Sequence, residues 1–69
     1  MDISTWREVF KEKYSSYSIT LMDLDWGSCL YEGGFEGISE FDEWHIDGIV
    51  VDIYKKTVRI TIYEEDSWE

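Results

Sequence analysis

The chain has no proline, one cysteine (Cys29) and one histidine (His45). A single cysteine excludes a disulfide within the chain. Small natural domains often draw on disulfides, a metal or a partner chain to supplement a marginal core. A lone thiol suits a reducing cytosol and is usually a small buried apolar group. One cysteine and one distant histidine leave no zinc-ligand spacing, so neither a metal nor a cofactor is expected. Long apolar runs and a signal-peptide pattern are also missing. The expectation is a soluble, unexported, cytoplasmic protein without a membrane segment. Positive charge is scarce: six Lys and Arg stand against sixteen Asp and Glu, for a net charge of −10. That balance argues against direct binding to nucleic acid or to an anionic membrane surface.

The basic residues are also segregated. Arg7, Lys11 and Lys13 lie on one side of the stretch from Tyr14 to Tyr54, and Lys55, Lys56 and Arg59 lie on the other. Between them Lys and Arg are absent, while Asp23, Asp25, Glu32, Glu36, Glu40, Asp42, Glu43, Asp47 and Asp52 accumulate. Like charges repel in a compact state, so folding alone does not call for this arrangement. Solubility is its plainest explanation. Yet solubility does not require a stretch this long to lack every basic residue.

Aromatic side chains are plentiful, with four Trp, five Tyr and three Phe, and 43% of the residues are apolar. Disorder is therefore excluded despite the charge. Aromatic residues bury much area each, and they also anchor interfaces. At 69 residues the chain is one small domain without internal repeats.

Helical spacing of Trp6, Val9, Phe10 and Tyr14 predicts a helix over residues 4–14, with Thr5 and Glu8 spaced as a capping box. Residues 18–26 read as a strand with Met22, Leu24 and Trp26 on one face and Asp23 and Asp25 on the other. After a turn at Gly27 and Ser28, residues 29–36 read as a second strand. It places Cys29, Tyr31 and Phe35 opposite Glu32 and Glu36, and Gly33 and Gly34 suggest a bulge or bend. For residues 37–46, Ile38, Phe41 and Trp44 fit a short helical turn with Ser39 as a cap, and an irregular acidic loop fits as well.

The clearest pattern spans residues 49–63. Ile49, Val51 and Ile53 alternate, as do Val58, Ile60 and Ile62. A two-residue loop at Lys55-Lys56 would set Ile53 against Val58, Val51 against Ile60 and Asp52 against Arg59. Lys-Lys is not a favoured two-residue turn, which leaves room for a longer loop. The acidic tail from Glu64 to Glu69 is expected to fray, with Trp68 able to fold back. The resulting fold class is α+β, with an N-terminal helix on one face of a roughly four-stranded antiparallel sheet. The opposite face would carry Asp23, Asp25, Glu32, Glu36 and Asp52 to water.

Asp23-Leu-Asp25-Trp-Gly27 opens like a calcium loop, but the glycine comes one position early and Gly34 stands where the loop needs its closing Glu. His45, beside Glu43 and Asp47, is expected to be a surface histidine whose pKa its acidic neighbours raise. No nucleophile or metal ligand accompanies it, so an enzyme is not expected. Alternate strand carboxylates stand about 6–7 Å apart, and a nucleic-acid backbone is likewise a regular row of negative charges.

In size, charge, aromatic content and the carboxylates Asp23, Asp25, Glu32, Glu36, Glu40, Asp42, Glu43 and Asp47, the chain resembles the small acidic inhibitors encoded by phages and mobile elements. These are DNA-mimic proteins of anti-CRISPR and anti-restriction type. That class shares no motif, so no single residue role carries over. The resemblance implies a stoichiometric inhibitor that binds a basic nucleic-acid-binding protein or complex. The surface expected to meet it comprises those eight carboxylates with Asp52 and Trp44. An immunity protein or antitoxin against a basic toxin would need the same surface. A small structural subunit with a buried aromatic interface would not.

Overall fold

The computed structural model describes residues 1–64. Helix α1 (Ile3–Phe10) is followed by strands β1 (Ser18–Asp23) and β2 (Cys29–Gly33), a 3-10 helix (Phe35–Phe41), and strands β3 (His45–Asp52) and β4 (Thr57–Tyr63). The four strands form one sheet in the order β2-β1-β4-β3. This is the α+β arrangement read from the sequence. The two outer pairings are antiparallel and the central β1–β4 pairing is parallel. No helix among the described residues is long and apolar enough to cross a membrane.

The helix starts one residue earlier than the sequence suggests, because Asp2 is its cap. The Asp2 carboxylate accepts the Thr5 N–H at 2.9 Å and the Ser4 hydroxyl at 3.1 Å. Thr5 is thus the third residue of the first turn, and the Thr5–Glu8 capping box does not form. Ile3 and Trp6 point into the core, whereas Val9 is exposed. Trp6 stacks on Tyr14 at 5.8 Å between centroids and tilts against Phe10 and Phe35 at 5.5 and 5.6 Å. Tyr14 therefore joins the core from beyond the helix end.

The sheet contributes Ile19 and Leu21 from β1 and Val58, Ile60 and Ile62 from β4, all fully buried. β1 uses the opposite face from the one its sequence suggested. Met22 lies on the open side, Leu24 is partly exposed, and Trp26 is 84% exposed. The strand ends at Asp23, whose carboxylate accepts the N–H groups of Asp25 and Trp26 at 2.8 and 3.3 Å. Gly27 closes this turn in the left-handed region at φ 68°, which glycine adopts without steric cost. Cys29, which opens β2 directly after the turn, is exposed rather than buried.

The β3–β4 hairpin keeps its expected faces but shifts its partners by two residues. Val51 faces Val58, Ile49 faces Ile60, and Arg59 faces Val50 rather than Asp52. The connection has four residues, 53–56, with Lys56 in the left-handed region at φ 56°. Asp52 accepts the Tyr54 and Lys55 N–H groups at 3.0 Å each, so its carboxylate holds the loop instead of pairing with Arg59. A shift of two residues leaves every side chain on its original face, so hydrophobic alternation alone does not distinguish the two registers.

Residues 37–46, open between two readings, form most of the 3-10 helix, the turn after it and the first residues of β3. Ile38 is fully buried, and Phe41 meets Trp44 edge-on at 5.6 Å. Gly34, not Ser39, occupies the position before the first turn. The tail from residue 65, including Trp68, lies outside the described residues.

Candidate functional site: an acidic end of the sheet

Parallel pairing of β1 with β4 decides where the charges go. Both strands end on the same side of the sheet, where Asp23, Ile62 and Ile46 form one cross-strand row. The Leu24 N–H donates to the Ile62 carbonyl at 2.9 Å, which fixes the β1–β2 turn against the end of β4. Asp23 and Asp25 in that turn, Asp47 beside the β3 bulge and Glu64 after β4 therefore share one end of the molecule. The start of α1 is tied to the same end, through Ile3 N–H to the Trp44 carbonyl and Ile46 N–H to the Met1 carbonyl, both at 2.9 Å. That tie adds Asp2 and Glu43.

At this end an open cleft of about 540 Å³ is lined by the carboxylates of Asp2, Glu40, Asp42, Glu43 and Glu64, together with Ser39, Trp44 and His45. Its two aromatic groups are half-buried. Trp44 is held by Phe41, and the His45 ring lies 5.4 Å from that of Tyr63. Hydrogen bonding by the Thr5 side chain, then by the Thr5 N–H and the Ser4 hydroxyl, pulls the Asp2 carboxyl down to about 2. Asp2 is therefore fully ionised at neutral pH. Asp42 is engaged elsewhere: Arg7 donates to it through Nε at 3.1 Å and through a terminal nitrogen at 2.7 Å. That contact holds the Arg7 pKa above its ordinary value. The bridge ties the carboxylate-bearing turn to α1 and offsets the Asp42 charge with that of Arg7, although both side chains stay partly exposed.

The opposite end carries lysines interleaved with carboxylates, among them Glu36 and Asp52. The Ser18 N–H donates to the Lys56 carbonyl at 2.9 Å, so the hairpin tip with Lys55 and Lys56 sits beside the start of β1. Lys11 and Lys13, between α1 and β1, lead into that same end. Negative charge is thus least opposed at the end where β1 and β4 finish, and is offset by lysines at the other end of the sheet.

The expected partner-binding residues divide accordingly. Asp23, Asp25, Glu40, Asp42, Glu43, Asp47 and Trp44 come together at the acidic end. Glu32, Glu36 and Asp52 do not join them. Glu32 stands in an open-face row with Thr20, Arg59 and Val50. Two strand spacings, roughly 10 Å, separate it from Arg59. Glu36 borders a hollow shared with Arg7 and Lys11, and Asp52 borders one shared with Lys55 and Arg59. The open sheet face is therefore not the acidic surface expected. Ser18, Thr20, Thr57 and Thr61 occupy much of it, and Arg59 interrupts its charge.

Asp2 and Glu64 were missed because they fall outside the Lys- and Arg-free stretch. For Asp2 a signal existed: an Asp directly before a helix, three residues ahead of Thr5, is as good a cap as Thr5 itself. Among the described residues, no group of three or more His, Cys, Asp or Glu is arranged to hold a metal ion. No family model matches the chain, and neither a curated protein nor a solved structure matches it.

Proposed function

We propose that the protein is a non-enzymatic inhibitor of anti-CRISPR or anti-restriction type. It offers its acidic end to the nucleic-acid-binding surface of a basic protein or complex in the cytoplasm. The observation that carries this reading is the gathering of Asp2, Asp23, Asp25, Glu40, Glu43, Asp47 and Glu64 at one end, away from Lys55 and Lys56. An end where negative charge is least opposed orients the encounter and speeds association with an oppositely charged groove. Trp44, at the cleft, supplies an apolar anchor of the type that concentrates binding energy in interfaces.

The mechanism needs no bond-breaking step. Carboxylates take the places of phosphates, basic side chains on the target pair with them, and nucleic acid is excluded while the complex lasts. Competition tests this reading. Labelled duplex DNA is bound to purified RNA-guided nucleases and restriction enzymes, and the protein is titrated in. Stoichiometric release of DNA from a basic target, weakened by added salt, supports inhibition by mimicry. Binding of the protein to the DNA itself would contradict it.

A further inference from the structure

Strand β3 is an outer strand of the sheet, and its free edge is covered only in part. Met1 and Asp2 run along its beginning, where Asp2 pairs with His45 and the Met1 carbonyl accepts the Ile46 N–H. From Gly48 to Asp52 no strand among the described residues lies outside it. The direction of its backbone groups follows from β4. The Lys56 and Ile62 carbonyls accept from β1, at Ser18 and Leu24. Even-numbered residues of β4 therefore bond toward β1 and odd-numbered ones toward β3. Thr57, Arg59 and Thr61 face Asp52, Val50 and Gly48. The N–H and C=O groups of Ile49 and Val51 consequently point outward along an apolar segment, with no partner among the described residues. Ile49 and Val51 are partly exposed and Val50 is 67% exposed. An edge of this kind is a template for another strand.

We propose that this edge pairs antiparallel with the same edge of a second copy, across a two-fold axis at Val50. The free stretch Gly48–Asp52 is centred on that residue. In this register each Val51 N–H donates to the Ile49 carbonyl of the other copy. Ile49 packs on Val51 across the axis, and the two Val50 side chains touch on the open face. The interface is isologous and closes at two copies.

Charge selects a second copy over an unrelated strand. Antiparallel pairing lays the basic hairpin tip of one copy beside the acidic start of β3 in the other. Lys55 and Lys56 then approach Asp47 and Asp2, and the exposed Tyr54 approaches Met1. The two molecules lie head to tail, which offsets the repulsion between chains of charge −10. This pairing does not depend on the target of the acidic end.

Sedimentation equilibrium of the full chain at physiological ionic strength, from micromolar to millimolar concentration, tests the proposal. The wild type should be a concentration-dependent dimer. Val50→Lys sets like charges against each other at the axis, and Val51→Pro deletes the bridging donor. Each should weaken dimerisation by roughly tenfold or more without changing the circular dichroism of the monomer. Lys55→Glu with Lys56→Glu should weaken it as well. In a Cys29→Ser background, Val50→Cys should cross-link on mild oxidation, whereas Val9→Cys, exposed on α1, should not. A wild type that stays monomeric at millimolar concentration overturns the proposal and leaves the edge to a foreign strand or to none. A dimer indifferent to Val50→Lys and Val51→Pro, or equal cross-linking at both cysteine positions, overturns it too.

Discussion

The Arg7–Asp42 bridge fixes the carboxylate-bearing turn to the helix, and its contribution can be worked out in advance. Its two N–H···O contacts of 3.1 and 2.7 Å form a bidentate, charge-assisted pair. The side chains remain 26% and 32% exposed, so water still screens them. Exposed pairs are worth about 0.2–1 kcal/mol, and breaking a fully buried pair costs about 3–5 kcal/mol. A bidentate pair with its entropy cost lowered by neighbouring backbone bonds belongs at the top of the first range. The expected coupling energy is about 1 kcal/mol. The neighbouring bonds are Ser4 N–H to the Asp42 carbonyl at 3.3 Å and Ile3 N–H to the Trp44 carbonyl at 2.9 Å. Arg7→Ala, Asp42→Ala and the double variant are unfolded in urea, with tryptophan fluorescence and far-UV circular dichroism as the signals. For a domain of this size m is about 1 kcal/mol per M, so each single variant should lose roughly 1 M in midpoint. The double variant should lose little more than either alone. Additive losses, with a coupling energy below about 0.3 kcal/mol, would refute the idea that the bridge holds the turn.

Other outcomes follow from the same geometry. Asp2 titrates at about 2 when folded and near 3.8 when unfolded, so its capping stabilises the fold fully above pH 4. That contribution is lost as pH falls from about 4 to about 2, and acid titrations of the wild type and Asp2→Ala should converge there. A Cβ at Gly37 would collide with the Tyr31 ring, whose hydroxyl is held at 2.7 Å by the Gly34 carbonyl. Gly37→Ala should therefore cost about 1–3 kcal/mol in urea unfolding. Ile38→Ala, at a fully buried position of the 3-10 helix, should cost about 2–5 kcal/mol by the same assay.

How far the sequence determined these features differs from one element to the next. The inward face of β4 was legible, because Val58, Ile60 and Ile62 alternate with Arg59 and Thr61, and the faces of β3 followed from pairing Ile49 and Val51 with that set across the hairpin. Their register was not, since a slip of two residues preserves that alternation and the loop length is set by the Asp52 side chain. β1 was misread because it is apolar at both parities: Ile19 and Leu21 compete with Met22 and Leu24. The helical layer with Ile3, Trp6, Phe35 and Ile38 covers one face and buries Ile19 and Leu21, and no local pattern reports which face that is. Segregation of charge was visible in the Lys- and Arg-free stretch. Its position at an end of the sheet was not. It depends on the Asp23 carboxylate folding back as a turn and on β1 pairing parallel to a strand far along the chain. Aromatic spacing gave Trp6, Phe10 and Tyr14 correctly, though Tyr14 reaches the core past the end of the helix.

The most direct test of the central claim compares two double charge reversals in the DNA-displacement titration, at low and moderate salt. Glu40→Lys with Glu43→Lys alters the acidic cleft. Glu8→Lys with Glu12→Lys removes the same charge from the exposed side of α1 and the turn after it. If the acidic end is the binding surface, the first variant should release DNA from its target far less well than the wild type. The second should stay close to wild type, and added salt should weaken all three. Equal loss in both variants, or release that ignores salt, would contradict the account.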